Sequence, residues 1–475
     1  MEIHAELLTD TKLFCNCPNT FGSGENANTC PGCLGMPGTL PALNRAAVEL
    51  AIKGGCALGC EISASTGWDR KSYFYADLPN GYQITQMFAP ICTGGGLDIG
   101  GRFIRLDHIH LEEDAGKLIH DNARNTTRID FNRAGVPLIE IVTKPDMRSA
   151  EEAVAFAEQV RQALIYAGVC DGKMEQGRFR VDANISVMPE GSEKLGVRTE
   201  VKNLNSFRFV ALAIENEARR HIRTIEEGGT LHQETRRFIE GSGETEAMRE
   251  KEDAVDYRYF PDSDIPLLAL DSAYIESLRA SLPEPPAARK ARYTGAHGMS
   301  ESDADTILAR KAAADLYDGM VALGAGPKEA LGIVRGEVLR HLAEAAAAAA
   351  ADAQGDAIGV SPEDAAKLLR MGAAGEIGAA NIKKAITMLM GGKGTSLDAI
   401  ISAENMLVRE DTQALEALAA LVRDVLAANP AAVASYKAGE AKVFGFFMGQ
   451  CNKTLKGAVQ PRTLQNELKA QLDKI

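Results

Sequence analysis

Residues 110–120, HLEEDAGKLIH, combine carboxylate and imidazole groups, two kinds of side chain that bind cations or move protons. Glu112, Glu113 and Asp114 are consecutive, and His110 precedes them closely. Acidic residues this close together face either water or a positively charged partner, and a divalent metal ion is one such partner. The segment therefore raises two alternatives, a metal site and a solvated acidic surface.

Two further stretches, RFRVDANISV and VRTEVKN, alternate polar and apolar residues as half-buried strands do. Arg180 and Asp182 then share a face of one strand, and Glu200 and Lys202 share a face of the other. If the turn between the strands is centred on Gly191, Asp182 stands directly opposite Glu200. Opposed carboxylates repel each other unless a cation, such as a lysine, an arginine or a divalent metal ion, neutralises them.

The segment EIH near the start adds Glu2 and His4, which share a face if that segment is a strand. Several carboxylates, a few imidazoles and two cations on one sheet are a plausible setting for Mg²⁺ and a phosphate group. From the spacing alone, a salt-bridged sheet face in contact with water is the alternative.

Aromatic and basic residues are interleaved in DRKSYFYADLPNGYQ and in DYRYFPD. Tyrosine and arginine in such a mixture can bind a nucleotide or the end of a nucleic acid by stacking and phosphate contact. The same composition is also ordinary for strands.

Four cysteines near the start follow the spacing C-x-C-x12-C-x2-C, at Cys15, Cys17, Cys30 and Cys33. Two pairs of close thiolates separated by a loop suit a tetrahedral Zn²⁺, and four thiolates would make the site structural. Unliganded reduced cysteines and a redox pair are the alternatives.

Composition excludes several classes of protein. The 475 residues carry a net charge of −13, which argues against a broad basic surface for nucleic acid. No apolar run reaches the length of a membrane span, the first residues do not form a signal peptide, and nine cysteines in so long a chain are no disulfide framework. We expect a cytoplasmic protein without a membrane. The P-loop, G-x-S-x-G, HExxH and Gly-Gly-Ser-Ser-Gly amidase motifs are missing.

The composition changes twice along the chain. Residues 1–285 contain eight of the nine cysteines and strand-like stretches with turn signals, so we predict an α+β fold with mostly antiparallel strands and a zinc-ribbon-like loop. Within it, Ser149 as N-cap and Glu152 in a capping box predict a helix start. A Pro-rich boundary, SLPEPPAARKARY, precedes helical patterns. We therefore predict an all-helical domain at 286–404 and a small helical tail domain at 405–475.

Together these motifs resemble those of the B subunit family of aspartyl/glutamyl-tRNA(Asn/Gln) amidotransferases. The similar stretches are EIHAEL, NTCPGCLGMPGTLPALN, DRKSYFYADLPNGYQIT, HLEEDAGKLIH, DFNRAGVPLIEIV, RVDANISV, EVKNLNSFR, QETRRF, DYRYFPD, SPEDAAKLL and VFGFFMGQCNKTLKG. The likeness extends over essentially the whole chain. Members of that family usually carry several more residues before the Glu-x-His motif.

The resemblance implies a ligase of translation that forms a carbon–nitrogen bond. Its cradle-shaped first domain would use ATP and Mg²⁺ to phosphorylate the side-chain carboxylate of a Glu or Asp attached to the wrong tRNA. Ammonia from an amidase (A) subunit would then give the amide, and a small C subunit would complete a heterotrimer. The missing amidase motif agrees, because this chain has no ammonia-generating site of its own.

The resemblance also implies roles for residues at matching positions. The magnesium ligands would be Glu2, His4, Glu113, Asp182 and Glu200. The last three would also be catalytic, together with Lys202 and Arg180, which their geometry makes candidates for phosphate contact. The four cysteines would bind a structural Zn²⁺. Residues 436–475, with seven Lys/Arg against three acids, resemble the family's tRNA-binding tail, with Lys453, Lys456 and Arg462 as candidate contacts.

Three other functions stay open at this point. The chain could be a tRNA-docking scaffold without catalysis, in which the acids are inert. A stand-alone nucleotide-dependent ligase is disfavoured by the basic tail, and a zinc-ribbon nucleic-acid factor is disfavoured because the four cysteines occupy one loop. The sequence does not decide between Glu-tRNA(Gln) and Asp-tRNA(Asn) as substrate.

Overall fold

The structure of the protein is a computed structural model. It describes all residues except 122, 251–256, 349–357, 393–395, 408–411, 438, 439, 441, 456–458, 460 and 475. The chain divides into two compact units, Met1–Ala291 and Arg292–Ile475. The predicted fold class is confirmed, because the first unit combines strands and helices and the described part of the second is helical. The domain boundaries at 285/286 and 404/405 stay predictions.

The strands lie in the first unit and are numbered in chain order. They are β1 (Glu2–Glu6), β2 (Glu61–Ile62), β3 (Ser65–Thr66), β4 (Asp69–Ser72), β5 (Tyr82–Thr85), β6 (Cys92–Thr93), β7 (Gly96–Ile99), β8 (Arg102–Glu113), β9 (Lys117–Asp121), β10 (Thr126–Asp130), β11 (Pro137–Thr143), β12 (Phe179–Ile185), β13 (Thr199–Leu204), β14 (Glu234–Phe238), β15 (Thr245–Glu250), β16 (Phe260–Pro261) and β17 (Leu268–Ala269).

The helices are numbered in the same way. Those that begin in the first unit are α1 (Arg45–Ala57), α2 (Ala150–Tyr166), α3 (Phe207–Glu226), α4 (Ser272–Ala280) and α5 (Pro286–Gly295). Those of the second unit are α6 (Glu301–Leu308), α7 (Lys311–Ala322), α8 (Pro327–Ile333), a π-helical turn at Val334–Val338, α9 (Leu339–Ala348), α10 (Pro362–Ala374), α11 (Ala379–Met390), α12 (Leu397–Ala403), α13 (Thr412–Ala427), α14 (Pro430–Lys437), α15 (Lys442–Leu455) and α16 (Pro461–Leu472).

Ten of the described strands form one sheet in the order β15-β14-β13-β12-β1-β11-β8-β6-β2, with β7 paired to β8. The pairs are antiparallel except β13–β14, which is parallel. Helix α3 connects these two strands, as a parallel pair requires a long crossover connection. The expectation of mostly antiparallel strands is therefore confirmed.

The central strands have one apolar side and one polar side. Ile3 of β1, Ile141 of β11 and Val181 of β12 are buried, and they pack in one core with residues of α1 and α2 such as Ile52 and Phe156. Alternation along each strand sends the polar residues to the other side. The hydrophobic side therefore fixes which residues the sheet presents to a ligand.

Helix α2 begins as the sequence predicts. The hydroxyl of Ser149 accepts a hydrogen bond from the backbone N–H of Glu152 at 3.2 Å. The Glu152 carboxylate accepts from the backbone N–H of Arg148 at 2.7 Å, one residue before the position a regular capping box uses.

The second unit contains its own apolar clusters. Leu418, Val422, Phe447 and Leu468 are buried together among α13, α15 and α16. Among the described residues no single helix has the length and apolar composition of a membrane span; Ala417–Ala427 and Pro430–Lys437, bent by 89°, meet these criteria only as a pair.

Candidate active site

The polar side of the central strands forms an acidic face. Strand β1 lies between β11 and β12, so Glu2 stands opposite Asp182, and His4 stands opposite Glu140. Glu140 in turn stands opposite His110 of β8. Residues directly opposite one another project from the same side of a sheet. The acidic face therefore combines side chains from four neighbouring strands.

The first cluster of this face is centred on Glu140. Its Oε2 lies 3.3 Å from Nε2 of His4 and 3.3 Å from Nε2 of His110. Oε2 of Glu112 lies 3.4 Å from the same nitrogen of His110. His4, Glu112 and Glu140 offer ligand atoms that lie within 4.8 Å of one another, a spacing that a metal ion could bridge.

Buried charges in the first cluster neutralise one another. Burial alone would lower the pKa of His110, but Glu140 and Glu112 raise it to about 10. Glu140 likewise raises the pKa of His4 against the effect of burial. Burial would raise the pKa of Glu140, but His4 and His110 hold it well below its usual range. The carboxylates thus favour the protonated form of the imidazoles beside them, and a metal ion bound through His4 would displace its proton.

The second cluster consists of Glu2, Asp182 and Glu200, whose carboxylate oxygens lie within 4.8 Å of one another. Nζ of Lys202 lies 3.4 Å from Asp182 and 3.2 Å from Glu200. Burial would lower the pKa of Lys202, but these two carboxylates raise it, so the amine keeps its charge. Carboxylate oxygens are the ligands that Mg²⁺ prefers, so the donor set fits that ion.

Neutral side chains orient the second cluster. Nδ2 of Asn184 donates to Oε1 of Glu2 at 3.1 Å, and the hydroxyl of Thr235 donates to Oε2 of Glu200 at 2.7 Å. Each hydrogen bond fixes one oxygen of its carboxylate, and so holds the whole group in the orientation that brings the cluster together.

The predicted register of the β12–β13 hairpin is wrong. Glu200 stands opposite Asn184 rather than Asp182. The loop is not symmetric about Gly191, because its turn closes between Pro189 and Ser192 and further residues follow before β13 begins. The shift amounts to two residues, which leaves every side chain on its predicted face. Asp182 and Glu200 therefore still meet as diagonal neighbours on adjacent strands, and Glu2 of β1 stands on the other side of Asp182.

Two further cations lie at the acidic face, and one of them, Arg180 of β12, stands opposite His4. Nη1 of Arg180 donates to Oδ2 of Asp114 at 2.7 Å, so Asp114 is the acid it contacts. The ammonium group of Lys71 on β4 is attracted by Glu112 and Glu140, which raise its pKa although burial would lower it. The role of Arg180 in phosphate contact stays a prediction.

Glu113 is the remaining predicted magnesium ligand. Among the described residues, it belongs to neither of the two clusters. It follows Glu112 on β8 and so projects to the other side of the sheet, where the N–H of Ile84 donates to its Oε1 at 3.1 Å. There it lines a cavity of about 70 Å³ together with Lys12 and Cys33, which we call the cysteine pocket. Burial raises the pKa of Glu113 to about 7. The geometry gives the place on the acidic face to Glu112.

The four cysteines of the predicted zinc loop converge. Sγ of Cys33 lies 3.4 Å from that of Cys15, 3.6 Å from that of Cys17 and 3.7 Å from that of Cys30. A tetrahedral Zn²⁺ with bonds of about 2.3 Å would separate the sulfur atoms by about 3.8 Å. The cluster therefore fits Zn²⁺ with little movement.

The cysteine cluster has one buried cation beside it. Nζ of Lys12 lies 3.5 Å from Sγ of Cys33 and donates to the carbonyl oxygen of Phe131 at 3.1 Å. The hydrogen bond from Cys15 lowers the pKa of Cys33 to about 4, and burial raises the pKa of Cys17 to about 11. Negative charge in the cluster thus favours Cys33, because close thiolates repel each other.

The predicted tRNA contacts of the tail are only partly described. Lys453 lies in the last turn of α15, and Arg462 lies in α16; both are exposed. Lys456 lies outside the described residues.

Sequence reasoning missed Glu140 and, within HLEED, selected Glu113 rather than Glu112 as the metal ligand. Glu140 is the one charged residue of β11, PLIEIVT, and a lone acid in an apolar strand is a usable signal. Alternation from His110 along β8 would also have selected Glu112 instead of its neighbour Glu113.

Comparisons with known proteins identify the family of this chain. A model of the GatB/GatE catalytic domain matches residues 1–276, and a model of the GatB domain matches residues 315–472. Relatives named as the B subunit of aspartyl/glutamyl-tRNA(Asn/Gln) amidotransferase occur in Ruminiclostridium cellulolyticum (43% identical, covering 100% of this chain and 97% of the relative), Anaeromyxobacter sp. strain Fw109-5 (45%, 99% and 97%) and Geobacter sulfurreducens (45%, 98% and 97%). The chain therefore belongs to the GatB family, and its acidic face lies within the catalytic domain of that family.

Proposed function

We propose that this chain is the subunit of a tRNA-dependent amidotransferase that activates and amidates the side chain of a misattached amino acid. The observation that carries the proposal is the pair of carboxylate clusters on one sheet face, flanked by Lys202 and Lys71. The names of the relatives give the substrate class, an aspartyl- or glutamyl-tRNA.

The reaction has two steps. An oxygen of the side-chain carboxylate attacks the γ-phosphorus of ATP, a P–O bond to ADP breaks, and an acyl phosphate forms. Ammonia then attacks the carbonyl carbon, the C–O bond to phosphate breaks, and the amide forms; the proton that ammonia loses leaves on the inorganic phosphate. The first step is needed because a carboxylate is an anion and a poor electrophile, whereas phosphate is a good leaving group.

The acidic face suits the first step. Mg²⁺, when bound, supplies charge neutralisation and orientation of the phosphates. Glu2, Asp182 and Glu200 would bind one ion, and His4, Glu112 and Glu140 would bind another. Lys202 is placed to contact a phosphate oxygen beside the second cluster, as a compact cation does at many phosphate sites.

Ammonia must come from outside this chain, whose sequence has no amidase motif. We propose that an amidase (A) subunit supplies it and that a small C subunit completes a heterotrimer in the cytoplasm. The helical tail, with Lys453, Lys456 and Arg462, would contact the tRNA phosphates.

The decisive experiment measures acyl-phosphate formation on Glu-tRNA(Gln) and Asp-tRNA(Asn) with γ-labelled ATP and the chain reconstituted with its partners. Glu200→Gln and Asp182→Asn should lose at least roughly 100-fold in rate, since each removes a charge that orients the phosphates. Glu190→Gln, in the loop of the same hairpin, should retain the rate. Binding of tRNA should be intact in all three.

If both site variants keep the wild-type rate while tRNA binding stays intact, the acids are inert and the chain is a docking scaffold. The two tRNAs, assayed side by side, also decide which amino acid the enzyme accepts.

We also propose that the cysteine cluster binds structural Zn²⁺. Mass spectrometry of the metal content of the purified chain should find about one zinc ion per chain. Cys30→Ser should lose it, and Cys56→Ser, outside the cluster, should retain it. Equal zinc contents in the two variants would contradict this assignment.

A further inference from the structure

Four tyrosines form a continuous row beside the acidic face, which we call the tyrosine row. Its members follow in the order Tyr75, Tyr73, Tyr257 and Tyr259. Successive ring centroids are 5.9, 6.0 and 5.9 Å apart, and each pair is edge-to-face, with interplanar angles of 69°, 75° and 69°. These are favourable geometries for aromatic pairs. The two aromatic–basic stretches of the sequence therefore form a single feature.

The backbone joins the two halves of the row. The N–H of Ser72 donates to the carbonyl oxygen of Tyr257 at 2.8 Å, and Phe260 pairs with Arg70 across β16 and β4. Between Tyr257 and Tyr259, Arg258 has a φ of 44°, a left-handed conformation that is costly for a residue with a side chain. The positions of the tyrosines are thus maintained at the expense of backbone strain.

Lys71 connects the row to the acidic face. Its Nζ lies 5.8 Å from the ring centroid of Tyr73 and 5.0 Å from that of Tyr257, both within the range of cation–π contact. Lys71 projects from the same side of the β4–β5 pair as Thr85, whose hydroxyl donates to Oε2 of Glu112 at 3.0 Å. The rings in the middle of the row are therefore one side chain away from the first cluster.

The row runs from this buried position into solvent. Tyr73 is partly buried, but Tyr75 is 59% exposed and its neighbour Phe74 is 78% exposed. These two adjacent exposed rings extend the row as a candidate binding surface. A small nucleotide could be enclosed near the cation, whereas a ligand that must enter from solvent needs a surface that extends outward.

The proposed reaction defines such a ligand. The reacting amino acid is esterified to the ribose of the terminal nucleotide of a tRNA, so the terminal base lies within one nucleotide of the carboxylate that must reach the acidic face. Bases stack on aromatic rings irrespective of their identity. We propose that the tyrosine row, at Tyr75, stacks the 3′-terminal base of the aminoacylated tRNA and so places the aminoacyl group beside Lys71. This inference rests on the proposed function.

The first test is direct and needs neither ATP nor metal. A tRNA whose terminal adenine is replaced by 2-aminopurine loses fluorescence when that base stacks. The reconstituted complex should quench the probe, Tyr75→Ala should abolish the quench, and Tyr75→Phe, which keeps the ring, should restore it. Phe103→Ala, which removes a 55% exposed ring at the opposite end of β8, should quench like wild type.

The second test separates the two adenine-containing substrates. Tyr75→Ala should raise the KM for aminoacyl-tRNA roughly 5- to 100-fold, the range expected for loss of one base stack, and leave the KM for ATP unchanged. Tyr75→Leu keeps an apolar side chain but has no aromatic face, so it should raise the same KM. It replaces Tyr75→Ala in this test if the alanine variant does not fold. A raised KM for ATP alone would assign the row to the adenine of ATP, and an unchanged quench would exclude base stacking; either result overturns the proposal.

Failure of this proposal is distinguishable from failure of the proposed function. If Glu200→Gln kept full phosphorylation, the catalytic assignment would fall. The quench would still report whether the terminal base stacks on Tyr75, because that measurement contains no chemical step.

Discussion

Glu112 and Glu113 are neighbours on β8, yet the acidic face and the cysteine pocket give them opposite electrostatic environments. On the acidic face burial would raise the pKa of Glu112, but His110 lowers it. In the cysteine pocket burial raises the pKa of Glu113 to about 7, and the nearby cation, Lys12, donates to Cys33 and Phe131 instead. A counter-ion rather than burial therefore decides whether a buried carboxylate keeps its charge.

The largest effect is expected on the acidic face. Glu140→Gln keeps the shape of the side chain but removes the charge between His4 and His110. We expect acyl-phosphate formation by the reconstituted complex to fall at least roughly 100-fold, and the magnesium concentration needed for half the maximal rate to rise. Glu215→Gln, on the exposed side of α3, is the control. A wild-type rate for Glu140→Gln would show that the first cluster takes no part in acyl-phosphate formation.

The next prediction concerns the cysteine pocket. Burial raises the pKa of Glu113 in the folded protein above its value of about 4 in the unfolded chain. Below about pH 4 the group is protonated in both states and does not change the free energy of unfolding. Between that value and about pH 7 the unfolded chain ionises while Glu113 in the fold stays protonated, so the folded protein loses stability over this range and the loss is complete above about pH 7. Glu113→Gln should therefore be more stable than wild type at pH 8, on the order of 3 kcal/mol, with little difference near pH 4.5.

Urea unfolding of the purified chain at the two pH values measures this difference. Glu61→Gln, an exposed carboxylate, should not change it. A Glu113→Gln protein that is less stable at pH 8 would mean that the pocket supplies a cation to Glu113, and the contrast with Glu112 would disappear.

A smaller effect is expected from the cation of the pocket. Lys12→Met keeps the length of the side chain but removes its contact with Cys33. We expect zinc affinity, measured by competition with a chelator, to fall roughly 10- to 100-fold, as for other partners of metal ligands. Lys194→Met, an exposed control, should leave it unchanged. If Lys12→Met binds zinc as tightly as wild type, Lys12 does not support the metal site and only donates a hydrogen bond to the carbonyl oxygen of Phe131.

The smallest effect is expected at the N-terminus of α2, outside both the acidic face and the cysteine pocket. It shows how large a stability change is when neither charged region is altered. Ser149→Ala removes the N-cap of α2 and should cost about 1 kcal/mol in the free energy of urea unfolding at any pH between 5 and 8. Ser149→Asn, which can still cap the helix, is the matched variant. A pH-dependent loss would show that α2 is coupled to one of the two charged regions.

Local features of the fold could be predicted from the sequence, and long-range ones could not. The cysteine cluster and the Ser149 cap depend on short spacings. Alternation in β12 and β13 gave the correct faces for Asp182 and Glu200 but not the register, since a shift of two residues leaves the faces unchanged. No local pattern indicates that Lys12 would approach Cys33, because the contact arises only when the loop folds back.

The choice between Glu113 and Glu112 shows a second limit. Resemblance assigns a role to a motif, and within HLEED it selected Glu113. The periodicity of β8 places Glu112 with His110 on the acidic face. Motif and periodicity are independent sources of information, and here only the second one distinguishes adjacent acids.

The central position of β1 also has a kinetic consequence. Its side chains at the site bond to residues far along the chain: Glu2 accepts from Asn184, 182 residues away. Contacts between such distant residues form slowly, because the loop that joins them must close first. During synthesis Glu2 therefore stays without its partner Asn184 until β12 has left the ribosome, so the second cluster assembles later than the contact of His4 with Glu140.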